Sequence, residues 1–358
     1  FGKYLVGRYM KQLLVAAITT LFFFNVSAEQ NTVKVNYDFR YRYEYTDDES
    51  KGAKQRRNRI RVRLGAEYKP TEKLEIKIRL ATAEENSISA NQTLGHDFSL
   101  SDIGMDQFYI DYAIDQNSKL VIGKQSNPFF RSNKSQVIFD GDFNPEGMVY
   151  QFKKGMYFST LGVFSYDKKP SESVSIDGFQ IGLSNSFNNT TSFKLGLAQY
   201  KFDKIKGRPA SEITWNGKIF GNPIDANGNY LNNFNITNIS AEIKTTIGNQ
   251  SIPTLFFIDM VNNKDAEDYE RGFQAGIRVN FNQLWKVTYL YKDVEKNAVF
   301  GALVDSTFGG GGAGHKGHQM IISYPLSKKV ILDFSWFDNK KKMEIDYQRA
   351  LLDFKYKF

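Results

Sequence analysis

The chain has 358 residues, 47 Lys and Arg against 39 Asp and Glu, and a formal charge of +8, with no Cys, which excludes disulfides and thiolate metal sites. Aromatics make up 15%, with 30 Phe and 20 Tyr, while Pro is scarce at 8 and mean hydropathy is negative. A compact soluble enzyme, whose aromatic content accompanies aliphatic core runs, does not usually show that balance.

The only long apolar run is "LLVAAITTLFFFNVSA", residues 13–28, which follows Met10-Lys11 and closes on the small residues Val26-Ser27-Ala28. It reads as a secretory signal. A transmembrane anchor is the alternative, but the run is shorter than the ~20 apolar residues that spanning requires. The nine residues before Met10 read as an extension upstream of the true start. The expected organisation is therefore a signal peptide over 1–28 and a single domain over 29–358, starting near Glu29.

The next run, "VKVNYDFRYRYEY", alternates strictly: Val33, Val35, Tyr37, Phe39, Tyr41, Tyr43 and Tyr45 share one face of an extended strand, and Lys34, Asn36, Asp38, Arg40, Arg42 and Glu44 the other. "RRNRIRVRLGAEY" repeats the pattern, with Ile60, Val62, Leu64, Ala66 and Tyr68 opposite Arg57, Arg59, Arg61, Arg63 and Glu67. "KLEIKIRLA" sets Leu74, Ile76, Ile78 and Leu80 against Glu75, Lys77 and Arg79. Further strands are expected near 105–115, 118–125, 147–153, 156–166, 177–186, 191–202, 235–247, 251–261, 270–281, 284–295, 316–324, 328–338 and 345–358. That makes about sixteen, many near the ~9–11 residues that cross a bilayer when tilted.

The links between them alternate long and short. Long links are expected at 46–56, 84–104, 126–146, 167–176, 203–234, 262–269, 296–315 and 339–344. Short ones, at 69–72, 116–117, 154–155, 187–190, 248–250, 282–283 and 325–327, carry turn residues such as Asn188, Gly248 and Ser327. This asymmetry predicts an all-β transmembrane antiparallel β-barrel of about 16 strands, with short periplasmic turns and long external loops, in a bacterial outer membrane. A soluble sandwich gives no reason for it.

In the last strand Ala350, Leu352, Phe354, Tyr356 and Phe358 face one side, and Leu351, Asp353, Lys355 and Lys357 the other. Closure leaves no unpaired edge, and the apolar face meets lipid, with rings at the interfaces. A terminal Phe closing such a strand resembles the signal that delivers outer-membrane barrels to their assembly machinery, which implies that machinery as a partner through Phe358. A barrel this wide leaves a water-filled lumen. Arg40, Arg42, Arg57, Arg59, Arg61, Arg63, Lys77 and Arg79 then project into it from three consecutive strands. They outnumber the acids Asp38, Glu44, Glu67 and Glu75 on the same faces, so a net positive, anion-attracting wall is expected. The alternative is mutual neutralisation by those acids.

Residues 123–147, "GKQSNPFFRSNKSQVIFDGDFNPEG", form the third long link, too apolar for bulk water. In sixteen-stranded porins the third loop folds into the barrel as a constriction. The segment resembles the putative porin family of outer-membrane proteins: Gly123-Lys124 ends a strand, Asn127-Pro128-Phe129 follows, and then Asp140-Gly141-Asp142-Phe143-Asn144-Pro145-Glu146-Gly147. The resemblance implies passive passage of small hydrophilic solutes, no cofactor, and an assembly such as the homotrimer of other sixteen-stranded porins. A constriction loop would present Asn127, Pro128, Phe129, Arg131, Lys134, Asp140, Asp142 and Glu146. The three acids would then face the arginines and set up a transverse field; alternatively, the Asp residues cap local turns.

His315 and His318, in "GGGGAGHKGH", lack a nearby third ligand and are expected in a disordered external loop rather than a metal site; the remaining histidine is His96. The glycine run has no Lys-Ser/Thr ending and no strand-to-helix context, so it is no phosphate loop. No catalytic set can be placed, and nucleic acid is excluded as a partner by export and alternation. The expected function is a porin; a barrel lipase or protease and a plugged structural or adhesive barrel are the alternatives.

Overall fold

The computed structural model of the protein describes residues 33–82, 86–95, 102–166, 173–282 and 284–357. The expected leader, His96 and Phe358 lie outside these.

The strands are β1 (Val33–Asp48), β2 (Ala53–Thr71), β3 (Leu74–Thr82), β4 (Gln92–Thr93), β5 (Ile103–Ala113), β6 (Ser118–Lys124), β7 (Glu146–Lys154), β8 (Tyr157–Ser165) and β9 (Ser175–Ser186). They continue as β10 (Ser192–Phe202), β11 (Phe234–Ile247), β12 (Ile252–Asn263), β13 (Arg271–Phe281), β14 (Trp285–Val294), β15 (His315–Pro325), β16 (Val330–Lys341) and β17 (Ile345–Lys357). All belong to one 17-stranded sheet. The two-residue β4 only touches β2 at Arg59 and Ile60. The others form a closed sixteen-stranded antiparallel barrel, because β1 pairs with β2 on one side and with β17 on the other.

Each chain segment is extended because it alternates, and the two faces find different surroundings. Tyr41, Tyr43, Val62, Leu64, Leu352 and Phe354 point outward and are exposed on the barrel surface, while Arg40, Glu44, Arg61 and Asp353 are buried inside. Tight turns hold one end. Asp115 accepts the amides of Asn117 and Ser118 at 2.7 and 2.9 Å, and Asn188 those of Thr190 and Thr191 at 2.9 and 2.8 Å, so short polar side chains satisfy the reversing backbone.

Two of the long links expected at the other end are short. β1 and β2 join through Glu49–Lys51 and Gly52, whose φ of 63° a side chain would oppose, and β16 and β17 join through 342–344. The hairpins run on because their ladders continue, to Asp48 opposite Ala53 and to Lys341 opposite Ile345. The long loops 125–145, 203–233 and 295–314 fold inward instead. Their Phe139, Ile205, Tyr230, Val299, Phe300 and Leu303 join Val149, Phe164, Ile176, Tyr200, Phe202 and Ile236 of the inner wall in one apolar cluster. This cluster packs against β6–β12 and β14, leaving the charged wall of β17, β1, β2 and β3 on the other side.

Candidate functional site

The register builds the charged wall. Arg40 lies opposite Arg61, Arg42 opposite Arg59, Asp38 opposite Arg63 and Glu44 opposite Arg57 across β1 and β2. Like charges set directly across a ladder repel, so carboxylates from elsewhere must offset them. Arg42 receives a two-pronged ion pair from Asp353 of β17 at 2.6 and 2.7 Å. Glu44, only 1% exposed, is shared by Arg57, by Arg59 at 3.6 Å and by Arg349 of β17 at 3.4 Å. Arg61 holds Asp38 at 2.6 Å, and Arg79 holds Asp106 at 2.6 Å. Lys77 stands apart from these, between Glu67 at 3.7 Å and Glu75 at 3.4 Å.

The loop over 125–145 crosses the barrel interior. At its far turn Ser132 donates to the Ile258 carbonyl of β12 at 2.7 Å, and Asn133 accepts from Arg278 of β13 at 2.8 Å. On its return limb Asp142 meets Arg61 at 3.3 Å and Arg63 at 2.9 Å. Asn144 then locks the limb to β5, donating to Asp106 at 2.7 Å while accepting from Gln107 at 2.7 Å. Between these points Asn127 caps the turn at Phe129, the Pro128 carbonyl accepts from Gln151, and Arg131 donates to the carbonyls of Ser135 and Phe139. Lys134 closes the far turn with a left-handed backbone.

Phe129 and Phe130 sit on a part of the wall stripped of side chains. A Cβ at Gly178 would come 2.3 Å from the Phe129 ring, and one at Gly196 would come 3.0 Å from that of Phe130. Glycines on β9 and β10 thus make the recess that receives the loop.

The three loop acids have three different surroundings. Asp142 faces the arginines. Asp140 instead accepts the Asp142 amide at 2.7 Å and the Ser306 amide at 2.8 Å, tying this loop to 295–314. Glu146 is exposed at the start of β7 and pairs with Lys124 at 2.8 Å, away from the arginines. The expected facing of all three acids toward the wall is thereby corrected. The disordered loop expected around His315 and His318 is corrected too: His315 is buried at the head of β15, and His318 bonds Tyr289 on the outer face at 2.7 Å. Among the described residues no cluster of His, Cys, Asp and Glu is suited to a metal.

Asp106, Asp353, Arg349 and Asn91 belong to the site without having been singled out in the sequence. Asp353 and Arg349 follow from the alternation of the last strand. Asp106 does not, because a register shift beside Arg79 turns both Asp106 and Gln107 inward. A cavity of about 320 Å³, lined by Ser87, Ser89, Asp106, Asp142, Asn144 and Tyr166 among others, opens between loops 86–91 and 125–145.

A family model described as "Putative porin" matches residues 7–228 and 222–358, which is nearly the entire chain. The chain belongs to that family. Among solved structures the porin's fold resembles a triple mutant of Rhodopseudomonas blastica porin, with a TM-score of 0.53 at 11% identity over 91% of this chain and 100% of the other. It also resembles Pseudomonas putida OprB, with a TM-score of 0.63 at 10% identity over 91% and 94% of the two chains. No curated protein matches the sequence. Family and fold together make the protein a porin-type channel, with the loop over 125–145 inside the barrel.

Proposed function

We propose that this porin is a passive outer-membrane channel for small hydrophilic solutes with a preference for anions. One observation supports the reading: the inward loop reaches the arginine wall through Asp142, at Arg61 and Arg63, where basic groups outnumber acids among the described residues. Arg40, Arg42, Arg57, Arg59, Arg61, Arg63, Arg79 and Arg349 lie along that wall with Asp38, Glu44, Asp106, Asp142 and Asp353. Partial neutralisation leaves a positive remainder, which raises local anion concentration. The same reading carries a lipid-facing outer surface, a homotrimeric assembly and recognition of the Phe-terminated strand by the barrel-assembly machinery. It assigns the chain no catalytic step.

The reversal potential of a refolded channel across a potassium chloride gradient tests the preference. Wild type is expected to favour chloride, and replacing Arg59, Arg61 and Arg63 together by Gln to move selectivity toward cations, because Asp38, Asp106, Asp142 and Glu44 lose positive partners. Exposed charges are screened over ~10 Å at 0.1 M salt, so the shift shrinks as salt rises. A cation-selective wild type, or an assembled and conducting variant with an unmoved potential at low salt, overturns the anion preference.

A further inference from the structure

Arg40 lies at the centre of a row of three cations. Its cross-strand neighbours are Lys355 on β17 and Arg61 on β2, all on the inner face. The flanking pair have carboxylates: Lys355 holds Asp333 at 2.5 Å and Asp353 at 3.7 Å, and Arg61 holds Asp38 and Asp142. Arg40 has none within ion-pair reach among the described residues. Among the described residues its side-chain hydrogen-bond partner is the amide oxygen of Asn91, and its Nε hydrogen is left without an acceptor.

That environment is expensive for a guanidinium. Arg40 is only 8% exposed, and the carboxylates that act on it from further off, Asp142 and Asp353, are already paired with Arg61, Arg63 and Arg42, so its buried charge has no carboxylate of its own and is costly to keep. Asn91 itself is fixed, since its amide nitrogen donates to Ser89 Oγ at 3.0 Å, so it presents an oxygen to Arg40 but no charge. A planar fork of donors, held in place by a neutral partner and flanked by two further cations, matches the oxygens of a carboxylate or phosphate.

We propose that Arg40, positioned by Asn91 and flanked by Lys355 and Arg61, is a binding site for a small oxyanion inside the channel. This rests on the channel reading above and narrows it from a general anion preference to a saturable stop along the route. A solute that dwells there obstructs chloride, so binding is read as block.

The experiment records chloride current through the full-length porin in planar bilayers while inorganic phosphate is titrated on one side, and repeats the titration with acetate. Saturable block by either ion is expected in wild type; phosphate alone, acetate alone or both identify a phosphate, a carboxylate or a general oxyanion site. Arg40→Gln should raise the half-blocking concentration by about tenfold or more, the loss expected for a charge-assisted hydrogen bond. Arg40→Lys, which keeps the charge and loses the fork, should fall between, and it serves if the Gln variant does not assemble. Lys328→Gln, at an exposed turn between β15 and β16, should block like wild type. Chloride conduction without saturable block, or block in the Arg40 variants equal to wild type, overturns the site and leaves the channel standing. A correctly assembled protein that conducts no ion overturns the channel reading itself.

Discussion

Asp140 and Asp142 stand two residues apart in an Asp-Gly-Asp run and meet opposite electrostatic fates. Arg63, Arg61 and Arg40 hold the Asp142 carboxyl well below its usual range against the cost of burial. Burial, helped by Asp142 and Asp305, pushes Asp140 up to about 7 from its ordinary 3.8. The sequence grouped the two acids together, either facing the arginines from a constriction loop or capping local turns; the turns of the loop aim them apart. The sign for Asp140 follows from its raised value. Between about 4 and about 7 the docked loop binds more protons than the undocked one, so docking is strongest below that window and weakens as pH rises through about 7. Amide exchange of residues 138–143, corrected for intrinsic rates, should therefore show more protection at pH 5.5 than at pH 8.5. Asp140→Asn keeps one of the two accepted amide bonds, so it should start about 1 kcal/mol less protected and stay level with pH. A wild-type profile as flat as the variant's would show that Asp140 does not titrate against the loop contact.

The inward loop and the wall under it form one unit at the level of elements. Its length and apolar content were legible in the sequence, and so was its resemblance to the third loop of porins. Its seat was not. Gly162, Gly178, Gly182 and Gly196 lie on inner faces of three adjacent strands, but a glycine in a strand pattern does not announce which distant ring will fill its space. Gly178→Val places new methyl groups where Phe129 now packs, and overpacking of this kind typically costs 1–3 kcal/mol. The sheet is fixed on both sides by β8 and β10, so the loop should give way before the strand does. The expected result is a barrel that still assembles but has an altered, larger single-channel conductance. Adding Phe129→Ala should recover part of the lost stability, since the two changes act on the same space. Unchanged conductance in the assembled Gly178→Val protein would mean that the Phe129 contact does not set the width of the passage.

Closure of the barrel is a property of the whole molecule, and the sequence approached it through strand number and through the parity of faces. Alternation was legible because the pleat forces side chains to opposite faces wherever one face meets lipid and the other the interior. It became silent where that contrast ends: at the tall β1–β2 and β16–β17 hairpins and at the register shift beside Arg79. The seam between first and last strands has a defined register, with Tyr43 opposite Leu352 and Tyr41 opposite Phe354. Tyr43 and Leu352 both face outward, at 40% and 43% exposure. Directly opposed residues of an antiparallel pair have Cα atoms ~4.5–5.5 Å apart, within the ~4.4–6.8 Å that a disulfide bridges. The chain has no Cys of its own, so a Tyr43→Cys, Leu352→Cys protein reports on this pair alone. Oxidation of the folded protein should join the two ends of the barrel and make the boiled, unreduced chain migrate differently from the reduced one. Tyr43→Cys with Phe354→Cys sits two residues out of step, a diagonal of ~7–8 Å, and should cross-link poorly. Efficient joining of the offset pair instead would place the seam two residues from this register, and joining of neither would mean that β1 and β17 do not meet.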